Sequence, residues 1–424
     1  MIYLMKQVRF VLLFLIMAAS LICCSEDPLQ WEPADVQPGV PVVDVYVDGQ
    51  EEIVSKDDYL KATIVISEEG KSPLSVRGKI KGRGNYTWNY PKKPYKIKFD
   101  DKQAVFGFPA NKDWVLLADY CDKSLMRTAY MCEISSALEV NYPLRYRHVK
   151  LYVNQEFRGV YVLIDQVEKK TARVDIEDDG YLFENDNYYY NEPLYFSTAV
   201  KRYPFTFKYP DPEDGEIAEG DEKFRYIVDF MNTFENILYS DSFLSRDGYR
   251  NMVDLQSFAK WFIVAELTAT QDPNMYYVLP HKGARLQTGP LWDAEYSLGL
   301  SYRSDPAGAW AVPPFKPVFD QVIWSRWKYY GRMFKDPFFI EEVRKEWEMF
   351  KTRIPALKEK LAAVADNISS AQSSNFEKWQ ILDSYEGAGL ICLGSWEAEV
   401  EYCADFLDQR VLWLDKFIAE LEWM

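Results

Sequence analysis

The amino-acid sequence predicts an α+β fold with two lobes, a strand-rich half over residues 42–220 and a helix-rich half over residues 221–424. In the first half, short runs of alternating apolar and polar residues are separated by turn residues, which is typical of strands. After residue 220, apolar residues recur at the period of 3.6 that is typical of helices. Strands followed by helices indicate an α+β layout, and ligands often bind between such lobes.

The individual elements follow from the same two patterns. In the first half we predict one helix that begins with a serine cap, at residues 124–138, and strands at residues 42–47, 62–67, 74–80, 95–99, 114–120, 149–153, 159–164, 181–183 and 205–209. In the second half we predict helices at residues 224–238, 255–268, 337–365 and 396–423, with short strands and turns between residues 275 and 299.

Composition limits the classes of partner. Hydrophobic residues make up 48% of the chain and aromatic residues 16%, which is enough to bury a substantial core. The formal net charge is −16, which argues against nucleic acid or an anionic membrane surface as the partner. Beyond an apolar run near the start of the sequence, no apolar run is long enough to span a bilayer, so we expect membrane attachment through a lipid anchor only.

The first residues predict export. Lys6 and Arg9 precede an apolar run at residues 10–22, which is too short for a spanning helix and is typical of a signal peptide. Cys23 and Cys24 end this run in a sequence that resembles a lipobox, so we predict a signal peptide at residues 1–23 and lipidation of Cys24; the alternative is a plain secretory signal.

Residues 24–41 are predicted to form a tether, because residues 25–41 contain four prolines and several acidic residues. Its first residues, Ser25, Glu26 and Asp27, resemble the acidic export tag of Bacteroidetes lipoproteins. We therefore expect a protein of the cell envelope that is lipid-anchored to the outer membrane, with the cell surface favoured over the periplasm. Residues 42–424 would then form the functional domain.

Histidine and cysteine usage excludes two classes of enzyme. His148 and His281 are the two histidines, and neither lies near a nucleophile-elbow pattern, which argues against a Ser-His-Asp hydrolase. The HExxH and CxxC motifs are absent from the sequence, which argues against a dedicated zinc site. We expect free, buried thiols at the four cysteines beyond the lipidation site, Cys121, Cys132, Cys392 and Cys403.

A basic segment at residues 71–99 contains nine lysines and arginines and no acidic residue. Within it, Arg83 and Asn85 lie on a turn with two glycines, which lets backbone N–H groups approach an anion closely. In the following strand, Lys96 and Lys98 share one face, opposite the apolar face. The segment therefore predicts either a phosphate-binding surface or a solvated basic face of a strand.

Acidic residues bracket a predicted hairpin between residues 266 and 299. Asp272 follows the helix at residues 255–268, and Asp293 and Glu295 follow the hairpin. This arrangement can hold a divalent cation through oxygen ligands and leave another carboxylate as a base. The alternative is that Asp272 caps a turn before Pro273, and that Asp293 and Glu295 are ordinary loop acids.

Several sequence blocks resemble the CotH kinase family (spore-coat protein H type). The first, at residues 83–88 and 92–99, is similar to the family signature RGNST…KKPYKIKF. The later blocks occur in the same order as in the family, at residues 114–117, 122–127, 159–163, 207–210 and 292–299. The resemblance covers residues 42–415, which is most of the chain.

The resemblance implies a divergent protein-kinase-like fold that binds ATP with Mg²⁺ or Mn²⁺ and transfers phosphoryl groups to serine or threonine of proteins. It implies Asp272 as the catalytic aspartate and Asp293 as the metal-binding aspartate. The remaining implied residues are Asn274 and Glu295 at the metal and Arg83, Asn85, Lys93 and Lys96 at the nucleotide.

The chain departs from the family pattern at two acidic positions. Glu295 stands where family members often have aspartate, and Asp165 stands where they often have glutamate. These changes leave an alternative open, a non-catalytic surface protein that binds glycans or proteins through Tyr188–Tyr190 and the aromatic loop at residues 302–319. The sequence does not identify an acceptor protein.

Overall fold

The computed structural model describes residues 39–270, 274–301 and 328–422. The predicted signal peptide, Cys24, most of the tether, Asp272 and the aromatic loop at residues 302–319 lie outside the described residues.

Seven strands of the first half close into a barrel in the order β1-β2-β3-β4-β5-β7-β6. Neighbouring strands are antiparallel, except that β1 pairs in parallel with β6 and thereby closes the barrel. Alternate apolar side chains fill its interior. The strands are β1 (Val42–Val47), β2 (Leu60–Ser67), β3 (Leu74–Gly82), β4 (Tyr95–Gln103), β5 (Asn111–Leu117), β6 (Tyr146–Val153) and β7 (Glu156–Asp165).

A second sheet has five strands in the order β12-β11-β8-β10-β9. Its strands are β8 (Tyr181–Asn185), β9 (Tyr195–Ser197), β10 (Pro204–Tyr209), β11 (Asn274–Leu279) and β12 (Gln287–Trp292). The central strand, β8, pairs with β10 on one side and with β11 on the other. The sheet therefore combines strands from both sides of residue 220.

Helices dominate the rest of the described chain. They are α1 (Arg127–Ala137), α2 (Glu222–Leu238), α3 (Leu255–Thr268), α4 (Tyr330–Met333), α5 (Pro337–Lys351), α6 (Ile354–Lys378) and α7 (Trp396–Ala419). Carboxylate or hydroxyl oxygens of Asp221, Asp254, Asp336 and Ser395 accept hydrogen bonds from the first turns of α2, α3, α5 and α7. These caps satisfy N–H groups that have no partner inside the helix.

Two predicted helices differ from the observed ones. The single helix expected at residues 337–365 is two helices, because Pro355 lies in the first turn of α6. A proline inside one continuous helix would lack the N–H donor and would clash with a carbonyl of the preceding turn. The serine cap predicted for α1 is also wrong: Ser124 lies before the helix, and the Asp122 carboxylate accepts from the Arg127 N–H.

The mixed α and β composition is confirmed, with a strand-rich first half and a helical second half. The expected protein-kinase-like arrangement of two lobes differs from what is observed, since seven strands of the first half close into a barrel. Within the described ranges, no helix is long and apolar enough to cross a membrane. The four predicted cysteines are free, and of these Cys392 is half-buried while the other three are buried.

Candidate functional site

A cleft of about 390 Å³ lies between the loop after β3, the end of β5, the second sheet and the loop after β12. Its volume is within the range of small-molecule sites. The side chains around it are mostly charged or polar: Arg83, Asn85, Thr87, Lys92, Asp119, Glu184, Lys208, Asn274, Asp293, Glu295 and Lys328. The cleft therefore suits a small ligand that carries charge.

The glycine-containing turn predicted from the sequence forms one wall of the cleft. Gly84 has a φ of 85°, which favours glycine, and a Cβ atom there would collide with the Thr87 hydroxyl. The Arg83 guanidinium lies 5.4 Å from the centre of the Trp292 ring. Burial lowers the pKa of Arg83, and the nearby Asp293 carboxylate opposes that shift. Arg83 and Asn85 thus reach the cleft as the sequence predicted.

Lys93 and Lys96 do not line the cleft. The Lys93 ammonium donates a hydrogen bond of 2.6 Å to the carbonyl of Trp88. The Lys96 ammonium lies 3.6 Å from the Asp113 carboxylate on the outer face of the barrel. The assignment of Lys93 and Lys96 to nucleotide binding stays a prediction, and a different lysine of this segment lines the cleft.

That lysine is Lys92, which is 2% exposed. Its ammonium donates a hydrogen bond of 2.6 Å to the Val160 carbonyl and lies 4.8 Å from the centre of the Tyr161 ring. Sequence reasoning missed Lys92, because two adjacent lysines in a turn carry no pattern that shows which one points inwards. The basic segment itself was the available signal.

Two further lysines reach the cleft, Lys208 from the second sheet and Lys328 from the turn before α4. The Lys208 ammonium lies 3.3 Å from a Glu184 carboxylate oxygen, and Lys328 donates to the Asn185 side chain. The Asn274 amide also donates to Glu184. The structure therefore brings Asn274 to the cleft, where it shares Glu184 with a lysine.

Three carboxylates reach the cleft from the segment after β5 and the loop after β12: Asp119, Asp293 and Glu295. A Glu295 oxygen accepts from the backbone N–H of Cys121 at 2.7 Å, and an Asp119 oxygen accepts from the Thr128 hydroxyl at 2.8 Å. Asp119 and Asp293 have φ values of 42° and 70°, which non-glycine residues adopt infrequently. Such backbone conformations cluster at functional sites.

The sequence did not single out Asp119, because it falls inside the segment at residues 114–120 that is predicted to be a buried strand. In the structure β5 ends at Leu117, and Asp119 turns into the cleft. A polar residue at the end of an apolar run was the signal that could have identified it.

Burial and mutual repulsion perturb the acidic residues. Burial raises the pKa of Glu295 to about 8, and the neighbouring Asp119 carboxylate adds to the effect. Burial and then Asp122 raise the pKa of Asp119 to about 6. Burial lowers the pKa of Lys92 to about 8, although Asp119 and Glu295 favour its charged form. Because these carboxylates disfavour each other's ionisation, the site would gain from an additional cation.

The residues of the cleft fit a magnesium ion only if phosphate oxygens and water supply its other ligands. Carboxylate and amide oxygens are suitable ligands, but the described part of the chain contains no group of three or more acidic, histidine or cysteine residues that could hold a metal. Mg²⁺ usually takes one or two protein carboxylates and completes its shell with phosphate oxygens and water. Asp293 with Asp119 or Glu295 could supply that protein share.

The second departure from the family pattern, Asp165, lies away from the cleft. Its carboxylate is 2.8 Å from the Arg145 guanidinium and 3.0 Å from the Arg173 guanidinium, and it is buried. Asp165 therefore belongs to a buried ion-pair network, so its difference from the family leaves the cleft itself unchanged.

The two histidines have ordinary structural surroundings. His148 is buried, and its Nε2 atom is 2.8 Å from the Leu125 carbonyl, while His281 is exposed. Neither residue lines the cleft.

The fold and the cleft define a mixed α/β protein whose candidate site combines lysines, an arginine and buried carboxylates. The family model described as CotH kinase protein matches residues 80–414. The chain therefore belongs to the CotH kinase family, and the match includes all of the cleft-lining residues named above. A comparison with curated proteins gives no match.

Proposed function

We propose that this protein is an exported atypical kinase that binds Mg-ATP in the cleft and transfers a phosphoryl group to serine or threonine of a protein. The observation that carries the proposal is the composition of the cleft, where four cationic side chains lie with the carboxylates of Asp119, Asp293 and Glu295, of which Asp119 and Glu295 are buried. Phosphoryl transfer requires this combination, because the protein mainly positions the reactants and neutralises phosphate charge. Membership of the CotH kinase family supports the same conclusion.

Each group at the cleft then has a distinct role. Arg83, Lys92 and Lys208 would neutralise phosphate oxygens, and the Arg83 guanidinium can donate two parallel hydrogen bonds. Asp293, with Glu295 and Asn274, would hold Mg²⁺, which neutralises charge on the phosphates. Asp272 lies outside the described residues, and in the proposal its carboxylate accepts the proton of the acceptor hydroxyl.

Substitution of the two aspartates tests the proposal. Asp293→Ala removes a metal ligand, so we expect the loss of both Mg-dependent nucleotide binding and phosphoryl transfer. Asp272→Ala should leave Mg-ATP binding nearly intact and lower transfer by about 10²–10⁴-fold, which is the usual contribution of a positioned base. Binding is measured by calorimetry, and transfer is measured with radiolabelled ATP. Wild-type protein that binds no nucleotide with Mg²⁺ or Mn²⁺ would contradict the proposal.

A pair of lysine variants separates the cleft from the rest of the basic segment. Lys92→Met should weaken ATP binding by roughly 1–3 kcal/mol, the range for hydrogen bonds to charged groups. Lys96→Met, on the following strand, should change ATP binding little because Lys96 contacts Asp113 outside the cleft. The opposite ranking of the two variants would restore Lys96 as the phosphate-binding residue.

The proposal includes export and lipid anchoring to the outer membrane, with the domain outside the cytoplasm. Its support is the sequence of residues 1–27, with a short apolar run that ends at Cys23 and Cys24. Cys24→Ala should leave an unprocessed precursor or a soluble protein in cell fractions. Mass spectrometry that finds an unmodified N-terminus at another residue would disprove lipidation of Cys24.

A second candidate function is a non-catalytic binding protein, and one observation favours it. Tyr188, Tyr190 and Tyr195 are 46%, 65% and 45% exposed at or near the rim of the cleft, and Tyr189 packs against two of them. Exposed aromatic clusters often contact proteins or sugars. Glycan-array binding that disappears in Tyr190→Ala, in a protein without nucleotide affinity, would make this candidate the leading one.

A further inference from the structure

Five lysines share the outer face of the barrel on three neighbouring strands, and we call this surface the basic face. Lys61 lies on β2, Lys79 and Lys81 lie on β3, and Lys96 and Lys98 lie on β4. Lys61 is directly opposite Lys79, which is directly opposite Lys98, and Lys81 is opposite Lys96. The alternate residues of these strands fill the barrel interior, so the lysines point outwards.

The positive charges of the basic face are poorly compensated. Like charges directly opposite each other destabilise a sheet, so this arrangement is unfavourable for folding. The ion pairs described for the five lysines involve one carboxylate, Asp113, at 3.6 Å from Lys96 and 3.9 Å from Lys98. Lys79 and Lys81 lie over the ring of Tyr59 at 4.5 Å and 4.8 Å. Glu168 also interacts with Lys96, and Asp48, which pairs with Arg77, interacts with Lys61, so the face retains an excess of positive charge.

Arg77 provides the contrast on the same strand and the same side. Its guanidinium forms two hydrogen bonds with the Asp48 carboxylate, at 2.9 Å and 2.7 Å. The uncompensated charge is therefore restricted to the lysines and is not a general property of β3.

The basic face extends to the cleft. The outward positions of β3 are the odd-numbered ones, and Arg83, which lies in the cleft, directly follows the last residue of the strand, Gly82. A ligand bound along the lysines would therefore enter the cleft at Arg83. This continuity links the face to the proposed site of phosphoryl transfer.

We propose that the basic face docks an extended acidic segment of the acceptor protein and directs a neighbouring serine or threonine to the cleft. The inference rests on the proposed function and adds a substrate class to it. Alternate side chains of an extended peptide are about 6.6–6.8 Å apart, which matches the spacing of Lys79 and Lys81 along β3. Docking would use side chains alone, because a closed barrel leaves β2, β3 and β4 with no free edge.

The overall charge favours a short acidic segment over a larger anionic partner. With a net charge of −16, the whole molecule repels extended polyanions and anionic bilayers. A short segment feels mainly charges within a Debye length, about 8 Å at physiological ionic strength. At that range it would interact chiefly with the five lysines.

The test compares two probes, a seryl peptide flanked by glutamates and its lysine-flanked counterpart, by fluorescence anisotropy without nucleotide. The wild-type protein should bind the glutamate peptide, and more tightly at about 50 mM than at about 300 mM salt. Lys79→Glu/Lys81→Glu removes two attractions and adds two repulsions. Each of these four changes affects one ion-pair interaction at the surface, and together they should weaken binding of the glutamate peptide about tenfold. Lys71→Glu/Lys345→Glu changes the net charge equally at exposed sites away from the face and should bind as the wild type does.

Folding of the double variant is checked by its melting temperature, which should not fall, because each new glutamate lies directly opposite a lysine of a neighbouring strand. Equal binding of the glutamate peptide by both double variants would overturn the proposal. Preference for the lysine peptide, or binding of vesicles of anionic lipid without binding of the glutamate peptide, would also overturn it.

Transfer to the same peptides distinguishes this proposal from the proposed function. Asp293→Ala should lose phosphoryl transfer but still bind the glutamate peptide, since Asp293 lies in the cleft and not on the basic face. Binding without any transfer by the wild type would refute the kinase proposal alone. Transfer that is equally efficient for both peptides would refute acidic docking alone.

Discussion

Helix α7 is held to the end of α3 by a buried ion pair, and substitution of Arg410 tests its contribution to stability. Arg410 is 1% exposed, and its guanidinium lies 2.5 Å from a carboxylate oxygen of Glu266, which is 0% exposed. The Arg410 Nε also donates to the Glu266 backbone carbonyl at 2.6 Å. Arg410→Leu therefore removes both contacts at once.

The expected cost follows from what the substitution leaves behind. The Glu266 carboxylate would stay buried without its cation, and breaking a buried pair in this way costs about 3–5 kcal/mol. Lys358 and Asp408, which lies on α7, form an ion pair with a similar distance of 2.7 Å, but their side chains are 47% and 46% exposed. Lys358→Leu should therefore cost at most about 1 kcal/mol.

The assay is urea unfolding followed by circular dichroism, with both variants and the wild type under the same conditions. A second variant, Glu266→Gln/Arg410→Met, removes both charges and should recover part of the lost stability, because no buried charge remains without a partner. If Arg410→Leu costs no more than Lys358→Leu, the buried pair does not hold α7 to α3. If the double variant is less stable than Arg410→Leu, the cost does not come from the loss of the cation beside the Glu266 carboxylate.

Three further outcomes are expected. Burial lowers the pKa of His148 to about 4, so on acidification the unfolded chain binds a proton before the folded protein does. Stability should therefore fall by up to roughly 3 kcal/mol as the pH drops from 6.5 towards 4. His148→Gln should flatten this pH dependence in unfolding experiments, and an unchanged profile would contradict the assignment. Gly159→Ala places a Cβ within 3.0 Å of three side chains, whereas Gly107, which also has a positive φ, has open space around it. Gly159→Ala should therefore lower the free energy of unfolding by roughly 1–3 kcal/mol more than Gly107→Ala. Equal melting temperatures of the two variants would exclude crowding as the cause. Lys79→Glu places an opposite charge across from Lys61 and should raise stability by about 1 kcal/mol, and a fall would show that the lysines are compensated.

The local structure was largely predictable from the sequence alone. Alternation in residues 42–47 and 95–99 predicted strands β1 and β4, and the same alternation placed Lys96 and Lys98 on one outward face. The period of 3.6 predicted α2 and α3 almost to the residue. These successes have one physical cause, since each pattern depends on neighbours a few residues apart. The family resemblance was confirmed for the same reason, because it rests on local blocks.

Only the tertiary structure decided which side chains meet. The parallel pairing of β1 with β6 closes the barrel, and no local pattern specifies a contact between strands so far apart in the chain. Closure gives the outer face of β4 to solvent, so Lys96 lies away from the cleft while Lys92, in the turn before it, points in. Asp119 joins Glu295 in the cleft because β5 ends two residues earlier, where the chain turns towards the second sheet. Alternation assigns a residue to a face, but the packing of distant elements decides what that face contacts.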